Sequence, residues 1–230
     1  MSVIKFTEDF SQELMKKMLD SRLDLKDYVL QNARQGDIQN IIDTIDQYGW
    51  TKQWLMNIGD RKGKILDQAI QKRKPKTILE LGTFLGYSSL RIISQLPDNV
   101  LFITIEADLQ SVEIARIIFE YAGVTNRINI INDYTHNVIP YLSKNFNINS
   151  FDFIFIDHFK DDYLRDFKML ENVGLIKSGT MIVADNVIKP GTPDYLEYVR
   201  NNQNYTSTFY EGKIEYQEDL DDGIEISIRK

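Results

Sequence analysis

An α/β fold is predicted, with a doubly wound sheet that is mainly parallel, an antiparallel C-terminal edge and helices ahead of the first strand. Three observations predict it. From Pro75 onward, short apolar runs alternate with amphipathic segments, as in a parallel sheet covered on both faces. The first of these runs leads straight into a Gly-containing turn, ILELGTFLGYSS. The tail departs from the alternation, because two β-rich segments there flank an acidic, turn-like stretch. The length of 230 residues, 43% hydrophobic and 27% charged, suits one domain over 1–230 whose first 24 residues form a helical extension.

Residues 8–35 place Phe10, Leu14 and Met18, then Leu25, Tyr28 and Val29, at helical spacing, with a break near Asp24 and a stop at Gly36. Asp37 is an N-cap for the stripe Ile38, Ile41, Ile42, Ile45 and Tyr48, which ends at Gly49. A third helix starts near Asp60 and closes on Lys72-Arg73-Lys74, where cations suit the negative end of the helix dipole. Strands are expected at 77–81, 100–105, 128–131, 151–156 and 180–184, with helices between them at 87–96, 109–122, 135–144 and 161–173. Residues 205–210 and 223–228, joined through Asp219–Gly223, should pair antiparallel at one sheet edge.

Composition removes several functions. A net charge of −7 and a pI near 5.0 lack the broad basic surface that nucleic acid requires. With no cysteine there are no disulfides, thiol nucleophiles or Cys-based metal sites, and two histidines cannot build a three-His zinc site. No apolar stretch approaches a bilayer span and no leader is visible, so a soluble, cytoplasmic chain without membrane or obligate protein partners is expected.

Chemistry concentrates at the carboxyl ends of the strands. Glu80, Gly82 and Gly86 fall on the first strand-to-helix turn, where backbone and helix N–H groups are open to a small polar ligand. Glu106 ends the next strand, at the place where an acid meets a ribose hydroxyl. The spacing E-x-G-x-x-x-G, with an acid where a diphosphate would be repelled and no Walker lysine, argues against a dinucleotide. Glu80 suits a cationic group instead, such as the amino group of S-adenosylmethionine, with Ser88 near its carboxylate. Asp157, Asp185 and Asn186 end the fourth and fifth strands at this same edge, a magnesium-like set of two carboxylates and one amide. Lys160 lies three residues beyond Asp157, where a bound cation disfavours its protonated form and makes it a candidate general base. His158 and Phe159 lie between them, so that one flat ring either stacks on adenine or packs under the loop.

The segment FDFIFIDHFKDDYLRDFKMLENVGLIKSGTMIVADNVIKPGTPDYLEYVR resembles the signature region of the catechol O-methyltransferases. The similarity extends from about Leu25 to the C-terminus and includes YVLQNARQGDIQNIIDTIDQYGWTKQWLMNIGDRKGKILD, ILELGTFLGYSS and TIEADL. The resemblance implies a Rossmann-like methyltransferase that uses S-adenosylmethionine and Mg2+ to methylate one hydroxyl of a small catechol. It implies that Asp157, Asp185 and Asn186 are the metal ligands, Lys160 the base, and Glu215 in KIEYQ the acid that binds the second hydroxyl. It further implies donor contacts at Ile58, Glu80, Ser88, Glu106, Thr135 and His158, and catechol walls at Trp54, Met56 and Pro190. Three positions depart from the family pattern: Phe159 stands where tryptophan is usual, Phe84 replaces a tyrosine and Thr135 a serine. These bear on the aromatic slot and on donor affinity. Rival readings are a methyltransferase of a bulkier phenol such as a caffeoyl ester, one of a hydroxylated tRNA base, an NAD-binding oxidoreductase, and a silent S-adenosylmethionine-binding module.

Overall fold

The structure is a computed structural model that describes residues 21–230. Most of the expected extension and the first part of the 8–35 helix lie outside the described residues. Helix α1 (Arg22–Asn32) runs through Asp24 without the expected break. Arg22 anchors it by donating to Asp108 and Ser111 at the start of a later helix. Helix α2 (Ile38–Thr51) starts as expected, with the Asp37 carboxylate accepting from the amide of Asn40, a cap worth about 1 kcal/mol. The helix passes Gly49 by two residues. Its Ile41, Ile42 and Ile45 are buried, each contributing roughly 1.5–3 kcal/mol over exposure to water. Helix α3 (Gly59–Arg73) ends with Lys74 in the left-handed conformation.

Seven strands follow: β1 (Thr77–Leu81), β2 (Leu101–Glu106), β3 (Asn129–Asn132), β4 (Phe153–Ile156), β5 (Met181–Ala184), β6 (Tyr205–Lys213) and β7 (Asp221–Arg229). Their order in the sheet is β3-β2-β1-β4-β5-β7-β6. The first five are mutually parallel, whereas β7 pairs antiparallel with β5 and with β6. The antiparallel edge is therefore as expected, but Asp221–Gly223 belongs to β7 rather than to the turn.

Helices α4 (Tyr87–Ser94), α5 (Leu109–Tyr121), α8 (Tyr163–Asn172) and α9 (Pro193–Asn201) complete the layers. The expected single helix over 135–144 is divided into α6 (Thr135–Val138) and α7 (Leu142–Phe146) by a tight turn around Pro140. Proline has no N–H to continue the ladder, and its ring obstructs the carbonyl four residues back.

Period-two alternation assigns the strand side chains to two cores. Ile78, Phe102, Phe153, Phe155 and Val183 face α1 to α5, while Leu79, Ile103, Ile154, Ile156 and Ile182 face α6 to α9. β1 to β3 are laid down toward one edge and β4 and β5 toward the other, so the strand order reverses between the parallel neighbours β1 and β4 and makes their carboxyl ends the topological switch point of the sheet.

Candidate active site

Glu80 is fully buried on β1, opposite Thr104 of β2. Thr104 Oγ1 donates to Glu80 Oε2 at 2.6 Å, and the Ser89 hydroxyl donates to the same oxygen. Burial pushes the Glu80 carboxyl up to about 7, against the opposing pull of the Ser88, Ser89 and Thr104 hydroxyls. Its donors are neutral and its Oε1 has no hydrogen-bond partner, so the charge it carries when ionised is left uncancelled for a ligand. Gly82, at φ +97°, follows immediately, and a Cβ there would stand 2.4 Å from the Asp157 carbonyl oxygen. Only glycine lets the β1 turn abut the β4 turn this closely. Glu106 at the end of β2 accepts from the amides of Phe84 (2.8 Å) and Asp108 (2.9 Å), which fixes its carboxylate between two turns.

The other half of the site follows β4 and β5. Ile156 pairs with Ala184, so Asp157 and Asp185 leave adjacent strands side by side. Asp185 is wholly buried, and its Oδ2 has no hydrogen-bond partner. Burial holds this carboxyl well above the usual range; the Lys62 ammonium opposes that rise and the Asp157 charge adds to it. Asn186 adopts the left-handed conformation (φ +53°) and donates through Nδ2 to Glu215 Oε1 (2.9 Å) and Asp222 Oδ2 (3.0 Å). With its amide N–H groups so engaged, the carbonyl oxygen is turned away from those two acids.

Lys160 Nζ donates to Asp157 Oδ1 at 2.8 Å and to the Tyr163 hydroxyl at 2.7 Å, and that hydroxyl donates onward to the Asp185 carbonyl. Five of the expected residues, Asp157, Lys160, Asp185, Asn186 and Glu215, thus share one linked corner. Among the described residues no three His, Cys, Asp or Glu side chains form a ready-made metal cluster. The candidate set is two carboxylates and an amide, all hard oxygen donors, and the unpartnered Asp185 oxygen is an acceptor that a hard cation would satisfy.

The remaining expected residues are placed as follows. Thr135 and His158 meet on Asp166, with His158 Nε2 at 2.9 Å from Asp166 Oδ2 and the Thr135 hydroxyl donating to that same oxygen. His158 stacks on Tyr163 (centroids 5.1 Å apart, 9° between planes), so this ring packs under the loop, while Phe159 is 65% exposed. Ser88 is buried beside Glu80, and Ile58 is buried at the start of α3. Trp54 is buried, whereas Met56 and Pro190 reach the surface.

Three ionic residues escaped the sequence reading. Lys62 is completely buried, with Nζ 2.6 Å from both Glu215 Oε1 and Asp222 Oδ2 and 2.8 Å from Asp185 Oδ1. Asp222 also accepts through Oδ1 from the amides of Ile188 and Lys189, which fixes the loop after Asn186. Asp166 is fully buried, and its carboxyl is held down at about 2 against the cost of burial by His158, Arg165 and Thr135. A signal was available for two of them. Lys62 shares a stripe with Leu66, Ala69 and Ile70, and Asp166 shares one with Tyr163, Phe167 and Leu170; a charge on a buried helix face requires partners.

The family model described as O-methyltransferase matches residues 37–227. The chain belongs to the O-methyltransferase family. It is 42% identical to catechol O-methyltransferase B of Danio rerio over 87% of this chain and 75% of the relative. Identity to the catechol O-methyltransferase of Mus musculus is 38%, over 87% of this chain and 76% of the relative. A probable O-methyltransferase of Mycobacterium tuberculosis is 36% identical over 83% of this chain and 84% of its own length. Among solved structures, the O-methyltransferase TomG of Streptomyces achromogenes, in complex with S-adenosylmethionine, matches with TM-score 0.65 and 25% identity over 73% of this chain and 79% of that one. The Bacillus cereus O-methyltransferase matches with TM-score 0.70 at 21% identity over 93% of this chain and all of that one, a likeness of fold. Among the described residues no helix is long and apolar enough to cross a membrane.

Proposed function

We propose that this O-methyltransferase transfers the methyl group of S-adenosylmethionine to one hydroxyl of a catechol, with Mg2+ held by Asp157, Asp185 and Asn186. The observation that carries this reading is the linked corner in which an unpartnered buried carboxylate, Asp185, adjoins Asp157, Asn186, Lys160 and Glu215. The relatives named as catechol O-methyltransferases support the same substrate class.

Bound there, the ion would stabilise the deprotonated form of a phenolic hydroxyl, whose ordinary pKa is about 10. Lys160, steered by Asp157 and Tyr163, takes the proton from that hydroxyl. Glu215 accepts from the neighbouring hydroxyl, which keeps its proton, and so selects an ortho-diol over a simple phenol. Glu80 faces the amino group of the donor, and the turn at Gly82 and Gly86 admits the donor close to the backbone. Thr135 and His158, tied to Asp166, border the donor on the side of the third strand, where Phe159 presents an exposed ring. Trp54, Met56 and Pro190 wall the catechol. Because both reactants are held by fixed groups, proximity and alignment supply a large part of the acceleration, up to ~7–11 kcal/mol in well-oriented systems.

The test is transfer of labelled methyl from S-adenosylmethionine to a panel of catechols, matched monophenols and a caffeoyl ester, with Mg2+ and with EDTA. Labelling of catechols that requires the ion is the expected result. Full activity in EDTA, or equal labelling of monophenols, would overturn the reading.

A further inference from the structure

Lys62 lies in a position that the reaction outlined above does not explain. Its ammonium is completely buried, and among the described residues its partners are the carboxylates of Asp185, Glu215 and Asp222, all within 2.8 Å. The stem is sheathed as well, since a Cβ on Gly212 of β6 would stand 2.7 Å from Lys62 Cγ. Burying an ammonium costs several kcal/mol, so a position on the apolar stripe of α3 persists only because the acids compensate it. Two of the three acids also accept from Asn186 Nδ2, so the lysine fixes the pair of carboxylates that orients the amide.

The charges of this corner can be counted. Asp157, Asp185, Glu215 and Asp222 are four carboxylates, and the ammonium groups paired with them are Lys62 and Lys160. In the substrate-free protein, with Lys160 still an ammonium beside Asp157 and a bound cation keeping the four acids ionised, two negative charges remain, which one divalent cation would balance. We propose that Lys62 is a positioning residue that sets the valence of the site, making it a divalent rather than a trivalent cation site, while holding Glu215 and Asp222 against Asn186. This rests on the proposal that Asp157, Asp185 and Asn186 hold a cation. The physical basis is that Coulomb energy scales with the product of charges, so each negative charge added near the ion favours a trivalent ion over a divalent one.

The experiment compares binding of Mg2+ and Tb3+ to the purified full-length protein without substrate, by calorimetry and by terbium luminescence. The variants are Lys62→Met, Asp222→Asn and the double variant Lys62→Met/Asp222→Asn, with circular dichroism and thermal melting as folding controls. Relative to wild type, Lys62→Met should raise the preference for Tb3+ over Mg2+ at least tenfold. Asp222→Asn should lower it, and the double variant, with its charge count restored, should return to within about threefold of wild type. A merely structural lysine would weaken both ions together. Overturning outcomes are a Tb3+ to Mg2+ ratio that is unchanged in folded Lys62→Met, or one in the double variant that does not return toward wild type. If Lys62→Met does not fold, the comparison of wild type, Asp222→Asn and the double variant decides by the same ordering. Failure of the wild type to bind either ion removes the cation reading itself, and this inference with it, and is distinguished by that missing wild-type signal.

Discussion

The two halves of the candidate site handle buried carboxylates in opposite ways. On the β1–β2 side, Glu80 and Glu106 are held by hydroxyls and backbone amides, all neutral donors. On the β4–β5 side, Asp157, Asp185, Glu215 and Asp222 are held by two lysines as well as by amides. Neutral donors fix a carboxylate without cancelling its charge, which suits recognition of a cationic donor group. Ammonium groups cancel charge, which suits a corner proposed to hold a cation. The contrast teaches that similar acids, a few strands apart, take their roles from what solvates them.

Several outcomes would break or sharpen this contrast. Removing the buried acid of the ionic half should have the largest effect. Asp185→Ala is expected to lower turnover with Mg2+ on the order of a thousandfold or more, the loss of several kcal/mol of charge stabilisation, while the far-ultraviolet spectrum stays native. Retention of metal-stimulated activity in this variant would break the assignment of the ionic half. Lys160→Ala should follow, reducing kcat by roughly 10²–10⁴ with little change in donor binding measured by calorimetry. Unchanged turnover would return Lys160 to a purely ionic role beside Asp157.

The neutral half should respond through donor affinity. Glu80→Gln is expected to weaken S-adenosylmethionine roughly ten- to a hundredfold, as for loss of a charge-assisted hydrogen bond. In the unsubstituted protein donor affinity should rise as pH passes through about 7, because Glu80 gains its charge there, and this pH step should vanish in Glu80→Gln. Stability of the ligand-free protein should run the other way. Glu80 has a folded value near 7 against an ordinary 4.5, so the folded state holds the extra proton. Its contribution is present below about 4.5 and is lost as pH rises through about 7. Asp46, raised by burial to about 6, adds a loss of the same sign at slightly lower pH. Thermal melts across this window should therefore show a falling melting temperature, flattened by Glu80→Gln; a rising one would contradict the environment described for Glu80. The smallest expected effect is that of Tyr216→Phe. Its hydroxyl lies 3.0 Å from both Asp46 and Asn57, and its loss should cost about 1 kcal/mol in chemical denaturation with the catechol selectivity retained.

Much of this fold was legible in the chain. Apolar runs located all five parallel strands within two residues, and the β-rich tail marked the antiparallel edge, because period-two burial leaves a local trace. The helix over 135–144 was not legible as divided, since its apolar spacing continues through Pro140 while its backbone bonding does not. At the site, Asp157, Asp185 and Asn186 were readable as acids and an amide at strand ends. Lys62 and Asp166 instead lay inside helices otherwise read for their apolar stripes, and Asp222 lay in what looked like a turn.

The sequence by itself determined the alternation of strands and helices, the Gly turn with its acid, and the oxygen donors at the strand tips, because each depends on spacing within a few residues. Only the tertiary structure decided which charges meet. Lys62 is separated from Asp185, Glu215 and Asp222 by more than a hundred residues of chain, and β7 must insert between β5 and β6 before those groups converge. A charge is stable in a core only beside its partners, and that adjacency arises from packing over long separations, which local spacing does not encode.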